Sequence, residues 1–106
     1  MMNDNPIGYK ILVSFDVRAE LLSEYRQFVL GQYIPFMGSM GLQISQAWHT
    51  AYGSAPNRLL EFVCREHDTV TSLFQDEEWA SFNNQLETFV EGLTYKVVPY
   101  KDRFQI

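Results

Sequence analysis

The sequence has a single cysteine, Cys64, among its 106 residues. One thiol excludes an intramolecular disulfide and leaves no cysteine cluster to bind a metal. No apolar stretch approaches the length that spans a membrane, and the polar first residues lack the basic and apolar segments of a signal peptide. We therefore expect a cytoplasmic protein with no membrane partner.

Basic residues are also scarce, with 8 Lys and Arg against 13 Asp and Glu and a formal net charge of -5. A mostly acidic surface repels phosphate backbones, so nucleic acid is not expected as a partner. The two histidines, His49 and His67, are too far apart for a short metal-binding motif. The sequence contains no Gly-rich phosphate loop, no Ser-x-x-Lys element and no Gly-x-Ser-x-Gly element. These absences predict neither a metal site nor a cofactor.

Apolar and aromatic residues, by contrast, are abundant at 46% and 15% of the chain. Such a composition indicates a large buried surface or a lined cavity rather than disorder. The length allows one domain, which we place at residues 8–106. Residues 1–7, which include two Asn, one Asp and one Pro, are expected to form a flexible arm.

The spacing of apolar residues predicts the elements of the first half of the chain. Apolar residues at every second position predict a strand over 8–17, and helical spacing predicts an amphipathic helix between Arg18 and Met37. Pro35 is expected to kink or end that helix, with Gly38 and Gly41 in the exit turn. Two alternating runs, 42–49 and 59–65, flank a turn-rich loop at 52–57 and predict a central hairpin.

The second half repeats the order of the first. Asp68 is expected to cap a short helical turn and Asp76 a longer helix, which Gly92 would close. A last strand is predicted over 94–104. The order strand, helix, strand, strand, helix, strand predicts a ferredoxin-like α+β fold, with a four-stranded antiparallel sheet and both helices on one face.

The face of the sheet opposite the helices is predicted to keep apolar residues that need cover. These residues are Leu12, Ala47, Leu59, Val63, Val98 and Tyr100. A monomer of this size rarely leaves so much apolar surface in water. We therefore expect a twofold homodimer in which two such faces meet, with a partly polar cavity between sheet and helices.

Two local motifs carry a family resemblance: the strand end from Trp48 to Gly53, and the run Asp76-Glu77-Glu78-Trp79-Ala80-Ser81-Phe82. The second is similar to the acidic-x-x-Trp-x-x-Phe start of the final helix in NIPSNAP-like proteins. With the order of elements, these motifs identify a resemblance to the dimeric α/β-barrel superfamily, most closely to NIPSNAP-like proteins and more distantly to antibiotic-biosynthesis-monooxygenase-like proteins. The resemblance implies a barrel formed by two chains. Relatives include cofactor-free monooxygenases, haem-degrading enzymes, isomerase-type enzymes and proteins without an assigned activity.

The candidate catalytic residues are His49 and Asp16. Strict alternation places His49 on the less apolar sheet face, near Asp16 and Ser14, where a neutral imidazole could accept a proton from a phenolic or enolisable substrate. The alternatives are a structural histidine at the hairpin mouth and an Asp16 that caps the first helix. A ligand pocket is predicted on the same face, lined by Ser14, Leu12, Ser45, Glu61 and Tyr100.

Three other polar residues have competing interpretations. Glu61 lies mid-strand among apolar neighbours and is either a carboxylate of raised pKa or the partner of Lys96 or Arg65 in a salt bridge. His67 lies near the iron ligand position of haem-degrading relatives, but its acidic neighbours favour a solvated turn. Cys64 is expected to be an inert core thiol.

Two functions remain open from the sequence. In the first, the homodimer binds or transforms a small hydrophobic or aromatic compound, as a cofactor-free monooxygenase or isomerase would. In the second, the cavity is filled by side chains, and the protein serves in dimerisation or partner binding without catalysis. An open cavity with convergent polar groups favours the first function, and a closed and fully packed one favours the second.

Overall fold

The computed structural model describes residues 7–49 and 56–100. Several predicted features lie outside these ranges: the arm at 1–6, the loop residues 52–55, the part of the strand motif that ends at Gly53, and the last-strand positions after Tyr100. No helix in the described ranges combines the length and the apolar composition needed to cross a membrane.

The described residues form one antiparallel sheet with helices against one face. The strands are β1 (Gly8–Val17), β2 (Gln43–His49), β3 (Arg58–Cys64) and β4 (Val90–Tyr100). The helical elements are a 3-10 turn (Ala19–Leu21), α1 (Leu22–Phe28), a π-helical turn (Val29–Tyr33), α2 (Ile34–Ser39), α3 (His67–Gln75) and α4 (Glu77–Glu87). The sheet order is β2-β3-β1-β4, so the predicted ferredoxin-like fold is confirmed.

The core lies between the helices and one side of the two central strands. Ile11, Val13 and Phe15, at alternating positions of β1, have no exposed surface. Tyr33 and Met37 of the first helical segment, which comprises the consecutive helical elements over residues 19–39, cover them and are themselves fully buried. Burial of one face of a strand and partial exposure of the other is what period-two alternation predicts.

The first helical segment continues past Pro35 instead of ending there. The Ile34 amide donates to the Val29 carbonyl, five residues back, which is the hydrogen bond of a π turn. Pro35 then occupies the first turn of α2, where a missing amide proton costs little. The segment ends at Ser39, and Gly41, with φ of 91°, makes the predicted exit turn.

The helix boundaries of the second half correct two predictions. Asp76 caps α4 as expected, because its Oδ1 accepts the Glu78 amide at 2.8 Å. Asp68 does not cap α3, since that helix begins one residue earlier and Asp68 lies inside its first turn. Gly92 does not close α4 either. It lies within β4 with φ of 65°, at a bulge where Gly92 and Leu93 oppose one residue of β1.

A second bulge interrupts β2 and reverses its faces. Ile44 pairs with Phe62 and Gln46 with Glu61, so Ser45 is an extra residue without a partner on β3. After a one-residue insertion every following side chain changes face. Ala47 and His49 consequently oppose Leu60 and Arg58 on the helix side, and Trp48 opposes Leu59 on the open side.

One polar pair is buried within the helical layer. The Tyr33 hydroxyl donates to Asn83 Oδ1 at 3.0 Å, and Asn83 Nδ2 donates to the Trp79 carbonyl at 2.9 Å. Asn83 is 7% exposed. The bond therefore joins α4 to the first helical segment in a region that water does not reach.

Replacing Tyr33→Phe should lower the free energy of unfolding by about 1–2 kcal/mol, because the buried Asn83 amide oxygen loses its donor. The melting temperature should fall by about 5 °C or more. Thermal and urea unfolding measure both quantities. Tyr95→Phe, the same change at a half-exposed tyrosine, is the control and should alter stability far less.

Comparison of the parent with Tyr33→Phe at two pH values should also reveal the titration of Tyr33. Burial, with a smaller effect of Tyr95, raises the pKa of the Tyr33 hydroxyl above its ordinary value. A raised folded-state pKa stabilises the fold below about pH 10, and this stabilisation is lost as the pH rises further. The stability gap between the parent and Tyr33→Phe should therefore be narrower at about pH 11 than at about pH 8. An unchanged gap would contradict this account.

Candidate functional site

An apolar groove of about 240 Å³ runs between the first helical segment and the β2 edge of the sheet. Its apolar walls are formed by Val29, Leu30, Ile34, Ala47, Trp48 and Leu60. A wider depression of about 390 Å³ lies around Arg18 and Glu91, but their ion pair, with 2.6 Å between Nη1 and Oε1, lies in it and its lining is mostly polar. The groove is the better candidate for a small-molecule site, because ligand pockets are mostly apolar with a few polar groups.

Two local irregularities shape the groove. The π turn at Val29–Tyr33 sets the wall on the helix side, and it leaves Leu30 68% exposed at the rim. The bulge at Ser45 turns Ala47 and His49 toward the helices on the other side. β2 is an edge strand that is exposed along its whole length, so the helices do not close the groove. Both π turns and bulges are frequent at functional sites.

One end of the groove is polar. Tyr25, Arg26, His49 and Arg58 line it there. Burial raises the pKa of the Tyr25 hydroxyl, and the charge of the nearby Arg58 guanidinium acts in the opposite direction with a smaller effect. Arg58 Nη1 also donates to the Asn57 carbonyl at 3.0 Å. The groove thus joins an apolar body to a cationic end.

The structure places His49 in this groove and not on the open sheet face. Its partner across the strands is Arg58, which in turn opposes Phe15 of the core. The prediction that His49 lies near Ser14 and Asp16 is therefore wrong, because the bulge at Ser45 shifts the alternation by one residue. Whether His49 takes part in catalysis stays a prediction.

Asp16 is bound to the end of the hairpin. Its Oδ1 accepts the Asn57 amide at 2.8 Å, and Asn57 Oδ1 accepts the Val17 amide at 3.0 Å. It does not cap the first helical element, whose N-cap is Arg18. Asp16 and His49 lie on opposite faces and two strands apart, about 10 Å across the sheet. They therefore do not share one catalytic site, and a catalytic role for Asp16 remains a prediction without support from this geometry.

The predicted ligand-pocket residues lie together on the open sheet face. Leu12 and Ser14 lie two residues apart on β1 and so share this face, and Tyr100 opposes Gly8 further along it. Ser45 Oγ donates to Glu61 Oε2 at 2.6 Å. That these residues line a ligand pocket remains a prediction, since this face is open.

Glu61 forms its salt bridge with a residue that the sequence did not indicate. Lys10 Nζ lies 3.5 Å from Glu61 Oε1, whereas Lys96 and Arg65 were the expected partners. Lys10 lies opposite Val63, and Glu61 is the preceding residue of β3 on the same face. Lys10 Nζ also lies 5.2 Å from the centre of the Tyr100 ring, so this amine joins an acidic and an aromatic neighbour.

The open face keeps the apolar surface that was predicted, with one exchange. Ala47 turns to the helix side, and Trp48, 56% exposed, takes its place beside Leu59. Leu12, Val63 and Val98 are only partly buried there. The exchange replaces a methyl group by an indole, so the face is more apolar than the sequence indicated.

The remaining candidates belong to the core and to a helix start. Cys64 is 7% exposed, as expected of a core thiol, and burial raises its pKa. His67 begins α3 and packs edge-on against the Tyr9 ring, with 5.2 Å between ring centres. Within residues 7–49 and 56–100, no group of three His, Cys, Asp or Glu side chains is placed to hold a metal ion.

Sequence reasoning missed Arg58 as a site residue, and for Tyr25 it favoured core packing over a place in an aromatic pocket. A signal for Arg58 was present, because it precedes Leu60 and Phe62 at period-two spacing and so belongs to the buried face of β3. A cation at the end of an apolar face is unusual and indicates a function or a partner. Tyr25 looked like an ordinary core residue, and only the three-dimensional arrangement brings its hydroxyl to Arg58.

Comparison with known proteins identifies the fold. No protein-family model and no curated protein matches the sequence. Among solved structures, a NIPSNAP family protein from Agrobacterium tumefaciens is similar over 97% of this chain and 94% of its own, with a TM-score of 0.68 and 14% identity. A second NIPSNAP family protein from the same organism, of unknown function, is similar over 100% of both chains, with a TM-score of 0.67 and 13% identity.

A further similar structure is a proposed antibiotic biosynthesis monooxygenase from Caulobacter crescentus. The similarity extends over 92% of this chain and 92% of that protein, with a TM-score of 0.71 and 7% identity. The resemblance derived from the sequence is confirmed at the level of the fold. At these identities the likeness extends to the ferredoxin-like architecture and not to an activity.

Replacing Asp16→Ala should lower the free energy of unfolding by about 1 kcal/mol, because the Asn57 amide loses its acceptor and the hairpin end loses its tie to β1. Urea unfolding measures the change. Glu87→Ala is a suitable control, because this exposed carboxylate has no hydrogen bond among the residues of the two described ranges. Equal stability of Asp16→Ala and the parent protein would show that the tie contributes nothing.

Proposed function

We propose that this protein is a homodimer that binds a small hydrophobic or aromatic compound in the groove between the first helical segment and β2. The observation that carries the proposal is the groove itself, with its apolar walls and its polar end at His49 and Arg58. Apolar burial supplies most of the affinity for such a compound, and polar groups at one end orient it.

The volume of the groove supports a ligand more than a cavity filled by side chains. A cavity of roughly 150 Å³ accommodates benzene, so about 240 Å³ has room for a larger ring system. The alternative, a dimerisation or partner-binding protein without a ligand, requires side chains to fill this space. Leu30 is 68% exposed at the groove rim, which supports an open groove instead.

Any catalysis in this groove would depend on His49. Its imidazole lies among Arg58 and Tyr25 at the polar end, where it could accept a proton from a phenolic or enolisable compound. Such a step fits a cofactor-free monooxygenase or an isomerase, and one structural neighbour bears a monooxygenase name. In this proposal Asp16 ties the hairpin and has no part in proton transfer.

Dimerisation through the open sheet face is the second part of the proposal. Leu59, Trp48 and Val63 lie side by side on this face, and the Lys10–Glu61 ion pair lies among them. A twofold axis would bring this apolar patch against the same patch of a second chain, which is the simplest closed arrangement. Most of the groove lining is on the other face, and Trp48 at the β2 edge borders both regions, so pairing leaves the helix-side lining accessible.

A thermal-shift screen of aromatic acids, quinones, haem and flavin should identify at least one stabilising compound of the first two classes. At about one hundred times its Kd a ligand stabilises by about 2.7 kcal/mol, which raises the melting temperature by several degrees. Ala47→Phe should abolish the shift, because the new ring occupies the groove beside Leu60.

Ile44→Phe is the matched control for this experiment. Ile44 lies on the same strand and the same sheet face, outside the groove lining, so its variant should bind normally. The parent's failure to respond to any compound, or an equal response from Ala47→Phe, would contradict ligand binding in the groove. His49→Ala should keep binding but lose any turnover that the parent shows.

The dimer proposal predicts that Leu12→Asp yields a folded monomer. Leu12 lies in the centre of the open face, opposite Glu61 on one side and Lys96 on the other, and a buried carboxylate there would oppose pairing. Sedimentation at micromolar concentration measures the mass, and circular dichroism checks the fold. Leu30→Asp, at an exposed site on the groove rim, should remain dimeric. A parent protein that sediments as a monomer would refute the dimer.

A further inference from the structure

The charge at the polar end of the groove is opposite to that of the protein. The chain carries a net charge of -5. Yet the ionisable side chains that line the groove are those of Arg26, Arg58, His49 and Tyr25, and none of the lining residues within the described ranges carries a carboxylate. A local cationic site in an acidic protein attracts anions selectively, because the rest of the surface repels them.

Arg58 is the group best placed to bind an anion. It is half-buried, one of its N–H groups donates to the Asn57 carbonyl, and it lines the same groove as Tyr25, whose pKa its charge lowers. The salt bridges within residues 7–49 and 56–100 are Lys10–Glu61 and Arg18–Glu91, so no described carboxylate neutralises Arg58. A guanidinium has five N–H donors in a rigid planar arrangement that matches a carboxylate.

The contacts that hold Arg58 also preorganise it. The Asn57 carbonyl that it binds belongs to the residue tied to Asp16 and Val17 by two hydrogen bonds. The guanidinium is therefore positioned by the hairpin end before any ligand arrives. A preordered donor loses less entropy on binding and so contributes more to affinity.

We propose that the natural ligand of this groove is a small apolar monocarboxylate, with its carboxylate on Arg58 and its ring or chain against Val29, Ile34 and Leu60. This inference rests on the proposed function, since it specifies the compound that the groove binds. The groove volume fits one or two rings, or a chain of roughly eight to ten carbons. Arg26 and His49 flank the anion without enclosing it.

The balance of apolar and polar groups favours a monocarboxylate over a dicarboxylate. The groove has a single partly buried cation and six apolar lining residues. A second carboxylate at the far end of the ligand would lie against those apolar residues without a partner and would cost several kcal/mol to desolvate. The carboxylate also carries the two oxygens that a guanidinium binds as a pair.

Matched pairs of acid and alcohol test the inference on the parent protein. Naphthoate is compared with naphthalenemethanol, and octanoate with octanol, by isothermal titration calorimetry at neutral pH. We expect at least one acid to bind about ten-fold or more tightly than its alcohol, because only the acid gains the charged hydrogen bonds to Arg58. If both alcohols bind as tightly as their acids, the inference is overturned while groove binding remains intact.

Variants of Arg58 locate the effect. Arg58→Met should weaken the acid by about ten-fold or more and leave the alcohol nearly unchanged, so that the preference disappears. Arg58→Lys should retain part of the preference, because it keeps the charge and loses the planar pair of donors. Arg65→Met, at an exposed arginine just after β3, is the control and should bind both compounds as the parent does.

The outcomes separate this inference from the function on which it rests. A preference for acids that survives Arg58→Met would refute the role of Arg58. If neither acids nor alcohols bind, and the quinones and other aromatic compounds of the screen also fail, both the groove function and its ligand class are refuted. Binding of the alcohols alone would support the groove function and overturn the monocarboxylate.

Discussion

Burial of one side of β1 is the constraint on which the rest of the structure depends. Ile11, Val13 and Phe15 have no exposed surface, and a central strand reaches that state only when helices cover it along its length. Tyr33 and Met37 of the first helical segment provide this cover, together with Leu73 of α3 and Leu86 of α4. Because the helices pack on this face, the other face and the β2 edge stay uncovered.

The two uncovered regions differ in character. The open sheet face combines Leu59 and Trp48 with the Lys10–Glu61 salt bridge, and none of the helices covers it. The groove at the β2 edge is concave, apolar along its walls and cationic at one end. A concave apolar surface suits a small molecule, because it buries most of the ligand's surface, whereas an exposed apolar sheet face suits a macromolecular partner.

Small irregularities give the groove its chemistry. One extra residue in β2, Ser45, moves His49 from the open face to the helix side and brings it opposite Arg58. One π turn before Pro35 sets the facing wall. Neither changes the order or the pairing of the strands, so homologous folds can differ in their sites through single insertions. Function in such a fold depends on these local features more than on the architecture.

The sequence by itself determined the element order, the apolar face of β1 and the α4 cap at Asp76, because these follow from periodicity and from hydrogen bonds between near neighbours. It also predicted an apolar open face. Only the tertiary structure decided the face of His49, the partner of Glu61 and the union of Arg58 with Tyr25. A bulge is a property of how two strands pair, and periodicity within one strand contains no information about its partner's register.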